Sequence, residues 1–183
     1  MHKRASILVW SSNLWNFGDG LLGPLFAVFA QKVGGDILDI AWAWGIYLIV
    51  TGVFIVVVGH LSDKIPKLPI LFAGYVLNAV FTFAYLLVQT PLELFIVQAA
   101  IGFALALTNP TWFALMGRFS AGEREGAAWG LADGRDKIAT GLAVFAGGLI
   151  VSNFGFSALF ITMGTLQLLS ALYLARLFYM HEA

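Results

Sequence analysis

The chain has 183 residues, of which 60% are apolar and only 11% charged, about half the charged fraction of a soluble domain. Ten basic residues balance ten acidic ones, so there is no basic surface for a nucleic-acid partner. There is no cysteine, and His2, His60 and His181 lie far apart in sequence. Disulfides, a metal centre and a bound cofactor therefore have no sequence signal.

The apolar residues come in blocks near the ~20 residues that cross a hydrocarbon core. A closed barrel would show short alternating strands, so the blocks predict an all-α membrane protein. Six spanning helices are expected, at about 5–30, 38–58, 68–89, 92–116, 127–151 and 154–178, in one domain covering 1–183. The first begins "MHKRASILVW" and reaches a small-residue cleavage pattern near Ala30. It is longer than the apolar region of a signal peptide and carries Asn13, Asn16, Asp19 and Pro24, so it reads as a retained helix. Polar groups at membrane depth are functional candidates. Asn16 and Asp19 share a helix face at i,i+3, and Asp19 sits near mid-span between Gly18 and Gly20. Both are candidates for substrate binding or proton coupling, against a plainer reading in which a neutral Asp19 only packs.

The second helix opens with Trp42, Trp44 and Tyr47, which read as an interfacial aromatic belt. It ends in "GHLSDKIPK", Gly59 to Lys67, where charges interrupt the apolar pattern and Asp63 is placed to accept backbone N–H bonds at a helix start. The fourth helix offers Gln98, Thr108, Asn109 and Trp112. Gln98 and Asn109 are candidate substrate contacts, although each alone also suits packing. The fifth begins "WGLADGRDK", with Asp133, Arg135, Asp136 and Lys137. It is expected to extend below the membrane with an Asp133–Lys137 pair at i,i+4, either as a solvated extension or as part of a gate.

Lysine and arginine set the orientation. With the N-terminus inside, Lys3, Arg4, Lys64, Lys67, Arg118, Arg124, Arg135, Lys137 and Arg176 face the cytoplasm and only Lys32 faces out. Both termini are then cytoplasmic, in a multi-pass protein of the cytoplasmic or inner membrane. The halves also echo one another. Thr51-Gly52 is followed by Gly59, and Thr140-Gly141 by Gly148, while Pro24 and Pro110 fall late in the first and fourth helices. Three helices followed by three like them form an inverted-topology pair, a recurring plan of secondary transporters.

"GHLSDKIPK" resembles the cytoplasmic loop signature of the major facilitator superfamily, G-x-L-[small]-D-[R/K]-x-G-[R/K]. Gly59, Leu61, Ser62, Asp63, Lys64 and Lys67 match, while Pro66 replaces the second glycine and Leu68 stands where a further basic residue is common. "EREGAAWGL" resembles the family's loop between helices 4 and 5 through Arg124, Gly126 and Gly130. In "GLAVFAGGLI", Gly147 and Gly148 match an antiporter signature, but Ala143 and Val144 stand where Gly-Pro would be. The setting of Asp19 is similar to that of a helix-1 aspartate linked to proton coupling in sugar porters.

The resemblance implies one six-helix half of a fold that has twelve helices in two halves. It also implies a gating loop around Gly59, Asp63, Lys64, Lys67 and Arg124, with Asp63 bridging the halves. The expected function is secondary transport of a small solute by alternating access, coupled to protons or another ion, in contact with membrane lipid. The two halves of this fold are parallel repeats about the membrane normal, so a homodimer of identical chains can stand in for them. A non-transporting membrane subunit, or the N-terminal part of a twelve-helix transporter, is the alternative. Asn-Pro occurs once where water channels use two copies, and no helix carries the paired groups of an intramembrane protease. No enzymatic activity is expected.

Overall fold

The computed structural model describes residues 3–120 and 125–180. Those residues are helical throughout, apart from turns and one short 3-10 segment, and contain no strand. The stretch read as one helix from 5 to 30 is two helices, α1 (Lys3–Gly20) and α2 (Leu25–Lys32). The break has a local cause: Gly23 has a positive φ of 25°, and Pro24 has no N–H to continue the ladder. Leu21 N–H donates instead to Gly18 O, and Leu22 N–H to Asp19 O, each at 3.3 Å.

Gly34 (φ 89°) turns the chain into α3 (Ile37–Ser62). That helix starts on a reciprocal cap in which Asp39 N–H donates to Asp36 Oδ1 at 2.9 Å and Asp36 N–H to Asp39 Oδ2 at 3.0 Å. Pro66 precedes α4 (Lys67–Ala84), which tightens into a 3-10 turn, Tyr85–Leu87. Glu93 begins α5 (Pro91–Ser120) by accepting from the amides of Gln89 and Thr90 at 2.7 and 3.2 Å. Helical geometry then runs through α6 (Glu125–Leu174), and α7 (Arg176–Tyr179) closes the described chain.

A straight helix of the length of α6 would measure about 75 Å, but α6 folds back at Gly155 (φ 81°, ψ 177°). Its two limbs, 125–154 and 156–174, return through the same core layers. Ala132 shares a buried cluster with Ala171 and Leu174, and Ala143 shares another with Phe156, Phe160 and Met163. The two clusters stack along the bundle, one around Leu8, Leu71, Met116 and Leu174, the other around Leu21, Phe29, Leu94 and Phe160. Successive helices therefore alternate in direction. Arg4 donates to the Met180 carbonyl at 2.5 Å, which ties the two ends of the described chain to one end of the bundle.

Among the described residues, four stretches are long and apolar enough to cross a membrane: Ile37–Ser62, Lys67–Leu87, Pro91–Phe119 and the folded-back Trp129–Tyr179. The bundle is built on pairings of α1 with α6, α3 with α5, and α4 with both α5 and α6. Glycines set the closest approaches. A Cβ at Gly102 would lie 2.6 Å from the Tyr47 carbonyl oxygen of α3, and one at Gly147 would overlap the backbone of Leu21.

Candidate functional site

The polar residues of α1 meet the charged start of α6. Asn16 Nδ2 donates to Asp136 Oδ1, and Lys137 Nζ donates to Asp136 Oδ2 at 3.1 Å. Lys137 also pairs with Asp133 at 3.6 Å. Asp133 and Lys137 are largely exposed, whereas the Asp136 side chain keeps only 20% of its surface. Arg135 points elsewhere, with its guanidinium 5.3 Å from the centre of the Trp10 ring. The charged start of the predicted fifth helix is thus split between a cleft wall and the flank of α1.

That wall belongs to a cavity of about 270 Å³ between α1, α4, α5 and the 125–154 limb of α6. Asn13, Asn16, Asn109, Asp133, Asp136 and Lys137 are among its polar groups. Trp15, Tyr75, Trp112, Phe113 and Trp129 supply its aromatic ones. Trp15 stacks on Tyr75 at 5.7 Å, and Trp129 stacks on Phe113 at 6.1 Å with Trp112 edge-on at 5.9 Å. Both α5 and α6 contribute aromatic residues far apart in sequence, so only Trp112 among them was named by sequence reading. Aromatics at helical spacing read as core until the neighbouring helices are in place.

One helical turn further along α1, Asp19 lines a second cavity of about 190 Å³ with Tyr47, Tyr85 and Gln98. Asp19 is exposed on the surface of the single chain. Gln98 is buried, and its Oε1 accepts from the Tyr85 hydroxyl at 2.8 Å. Asn16 and Asp19, expected on one face, therefore serve adjacent cavities. The two cavities share α1 as a common wall and meet along the register in which Asn16 touches Asp136 and Gly20 lies against Thr140.

The loop after α3 sits apart from both cavities. Asp63 is the C-terminal cap of α3, its side chain is 81% exposed, and its carboxylate lies 3.8 Å from Lys67 Nζ. Lys67 Nζ also donates to the Ser62 carbonyl at 2.6 Å. The expected bonds from Asp63 to amides at the next helix start do not form, because Pro66 takes the capping position and α4 has no side-chain cap. Lys64 is exposed, and among the described residues no other part of the chain, beyond the helix's own backbone, comes within 4 Å of a Cβ built on Gly59. Arg124 lies outside the described residues. Among the described residues, no group of three or more His, Asp or Glu could hold a metal ion.

An all-helical bundle with long apolar helices is the architecture of a multi-pass membrane protein. The sequence matches the Major Facilitator Superfamily over residues 9–183, and the chain belongs to that family. It is 27% identical over 155 residues to an uncharacterized MFS-type transporter of Methanocaldococcus jannaschii, covering 85% of this chain and 40% of that one. It is 23% identical to the multidrug resistance protein MdtG of Klebsiella pneumoniae, covering 84% of this chain and 38% of that one. An Escherichia coli MdtG is 24% identical over 158 residues, with 84% and 39% covered. The chain spans about two fifths of the length of these relatives. The family consists of transporters of small solutes, not of enzymes.

Proposed function

We propose that this chain is a half-size secondary transporter. It moves a small solute by alternating access as a homodimer, with both termini cytoplasmic and Asp19 as the proton-coupling group. The observation that carries the proposal is an open polar cleft. Asp19 is exposed along a wall lined by apolar helices, and an uncovered carboxylate at membrane depth is expensive unless a partner or a water-filled path faces it. The helices beside the cleft also have uncovered small-residue faces. Gly45, Gly52 and Gly59 on α3 recur every seven residues, as do Gly134, Gly141 and Gly148 on α6, and among the described residues no atom beyond the helix's own backbone lies within 4 Å of any of these Cβ positions. Such faces allow another helix to approach closely.

Internal symmetry supports the inverted-repeat plan. The Gly20 Cβ position lies 3.1 Å from Thr140 Cγ2, and the Gly102 Cβ position lies 3.0 Å from Thr51 Oγ1. α1 thus meets the 125–154 limb of α6 through a Gly–Thr contact, and α5 meets α3 through another, as exchange of the two triplets requires. Orientation is supported by Lys3, Arg4 and Arg118, which gather beside Met180 at one end. Within the reading, Asp63 reaches from the exposed end of α3 to the start of α6 in the partner copy, and Gln98 and Asn109 contact solute from α5.

The coverage of the relatives favours a second reading, in which the chain acts as the N-terminal half of a twelve-helix transporter. Cysteine crosslinking separates the two. Asp63→Cys with Gly130→Cys should give an intermolecular disulfide-linked dimer in native membranes. If that pair never crosslinks while a larger partner co-purifies, the homodimer is wrong and the second reading stands.

A further inference from the structure

We infer that the cleft of about 370 Å³ lined by Lys3, Arg4, Arg118, Phe119 and Met180 binds the headgroup of an anionic phospholipid. The inference needs only a membrane-embedded chain and stands apart from the transport reading above. Convergence is the first argument. Lys3 and Arg4 begin α1, Arg118 lies in the last turn of α5, and Met180 follows α7. Segments far apart in sequence thus bring three cations to one concave site. Among the described residues, none of the three makes an ion pair and no carboxylate lines the cleft. Lys67 and Lys137 differ: each has an aspartate four residues earlier, at 3.8 and 3.6 Å. Arg4 is also held in place, because its Nη2 donates to the Met180 carbonyl at 2.5 Å. That bond uses one of several guanidinium donors. The rest of the planar fork stays free for the unesterified oxygens of a phosphodiester, a pairing that arginine makes strongly.

Depth is the second argument, and it separates a lipid from a free anion. The apolar stretch of α5 runs from Pro91 to Phe119, 29 residues, or about 43 Å of helix. A bilayer with its headgroups is about 40–45 Å thick, so a helix that crosses it delivers Arg118 and Phe119 to the headgroup layer. The last apolar stretch ends at Tyr179, beside Met180. Tyr179 is 83% exposed, as suits an aromatic ring at the membrane interface. Phe119 and Met180 are half-buried and give the cleft an apolar side. That side fits the glycerol esters and first methylenes of a lipid, and inorganic phosphate has nothing to place there. Basic pockets at this level attract anionic headgroups.

The test is equilibrium binding of radiolabelled phosphatidylglycerol to the purified full chain in an uncharged detergent. Phosphatidylcholine with the same acyl chains should compete at least about tenfold less well than unlabelled phosphatidylglycerol. Lys3→Gln and Arg118→Gln should each weaken binding about fivefold, and together about thirtyfold. Both side chains are exposed, so the melting temperature should hold; if the double variant does not fold, the single variants carry the test. Arg176→Gln removes an exposed cation that lies over the Tyr173 ring, outside the cleft. It should change binding less than about twofold. Glycerol phosphate and inorganic phosphate, at about 10 mM and constant ionic strength, should leave the lipid bound. No saturable binding, equal competition by phosphatidylcholine, or undiminished binding in the charge-removing variants would each overturn the inference. Equal weakening by Arg176→Gln would show charge attraction without a site and overturn it too. Displacement by glycerol phosphate or inorganic phosphate would assign the cleft to a free anion and overturn the lipid.

Discussion

Gly102→Ala probes the contact between α3 and α5. The new methyl carbon would lie 2.6 Å from the Tyr47 carbonyl oxygen and 3.0 Å from Thr51 Oγ1. A carbon rests about 3.3 Å or more from a carbonyl oxygen, so α3 must retreat by roughly 0.7 Å. Overpacking of this kind costs about 1–3 kcal/mol. The retreat also stretches the 3.1 Å contact of the Thr51 hydroxyl with the Gly102 carbonyl, worth about 1 kcal/mol. A total of about 2–4 kcal/mol corresponds to a drop of roughly 5–15 °C in melting temperature for a chain of this size. Intrinsic tryptophan fluorescence in detergent reads the transition. Gly52→Ala is the internal control, since nothing lies within 4 Å of its Cβ position and removing a helical glycine gains about 1 kcal/mol. Its melting temperature should hold or rise. Gly52→Leu should likewise fold, yet lose the intermolecular 63–130 crosslink, because its open face is the one assigned to the partner. Equal melting temperatures for Gly102→Ala and Gly52→Ala would refute the packing argument. An undiminished crosslink in Gly52→Leu would refute the assignment of that face.

Two further outcomes are expected. Asp19→Asn removes the ionisable group from the second cavity with little change in volume. Gradient-driven uptake of the solute should fall to background while the unfolding free energy stays within about 0.5 kcal/mol of the parent, and unchanged uptake would remove Asp19 from the coupling mechanism. Gln167 is completely buried, and neither atom of its amide has a hydrogen-bond partner. Gln167→Met keeps the shape and removes both orphans, so it should stabilise the fold by about 1–3 kcal/mol. A lower melting temperature would show that an ordered water or a second side chain satisfies that amide.

The helical class was legible because it depends on composition and run length, which are local properties. Membrane-length apolar runs leave the backbone no choice but internal hydrogen bonding. The reversal at Gly155 was legible too, since a glycine falls in "SNFGF" between two such runs. The break inside the first predicted helix was half legible. Gly20, Gly23 and Pro24 are visible in sequence, but a single proline can also kink a continuous helix. What decided the outcome was the positive φ at Gly23 together with the close approach of α6 at Gly147.

For the site, the sequence by itself determined which groups are out of place in hydrocarbon, Asn16, Asp19, Gln98 and Asn109, and read the acids at the start of α6 as an extension below the membrane. Burial of polar groups is costly wherever they sit, so their presence in apolar runs marks them without any knowledge of neighbours. Their grouping was decided only by tertiary structure. Helix pairing placed Asn16 against Asp136, 120 residues away, and sent Asp19 to a different cavity from Asn16. It also brought Trp112, named from sequence, together with four aromatic residues indistinguishable there from core, into the wall of a cleft. The physical reason is that a helix presents its face through periodicity, but what that face meets depends on which helix packs beside it and in what register. In this chain glycine contacts such as Gly102 with Tyr47 and Gly147 with Leu21 set that register.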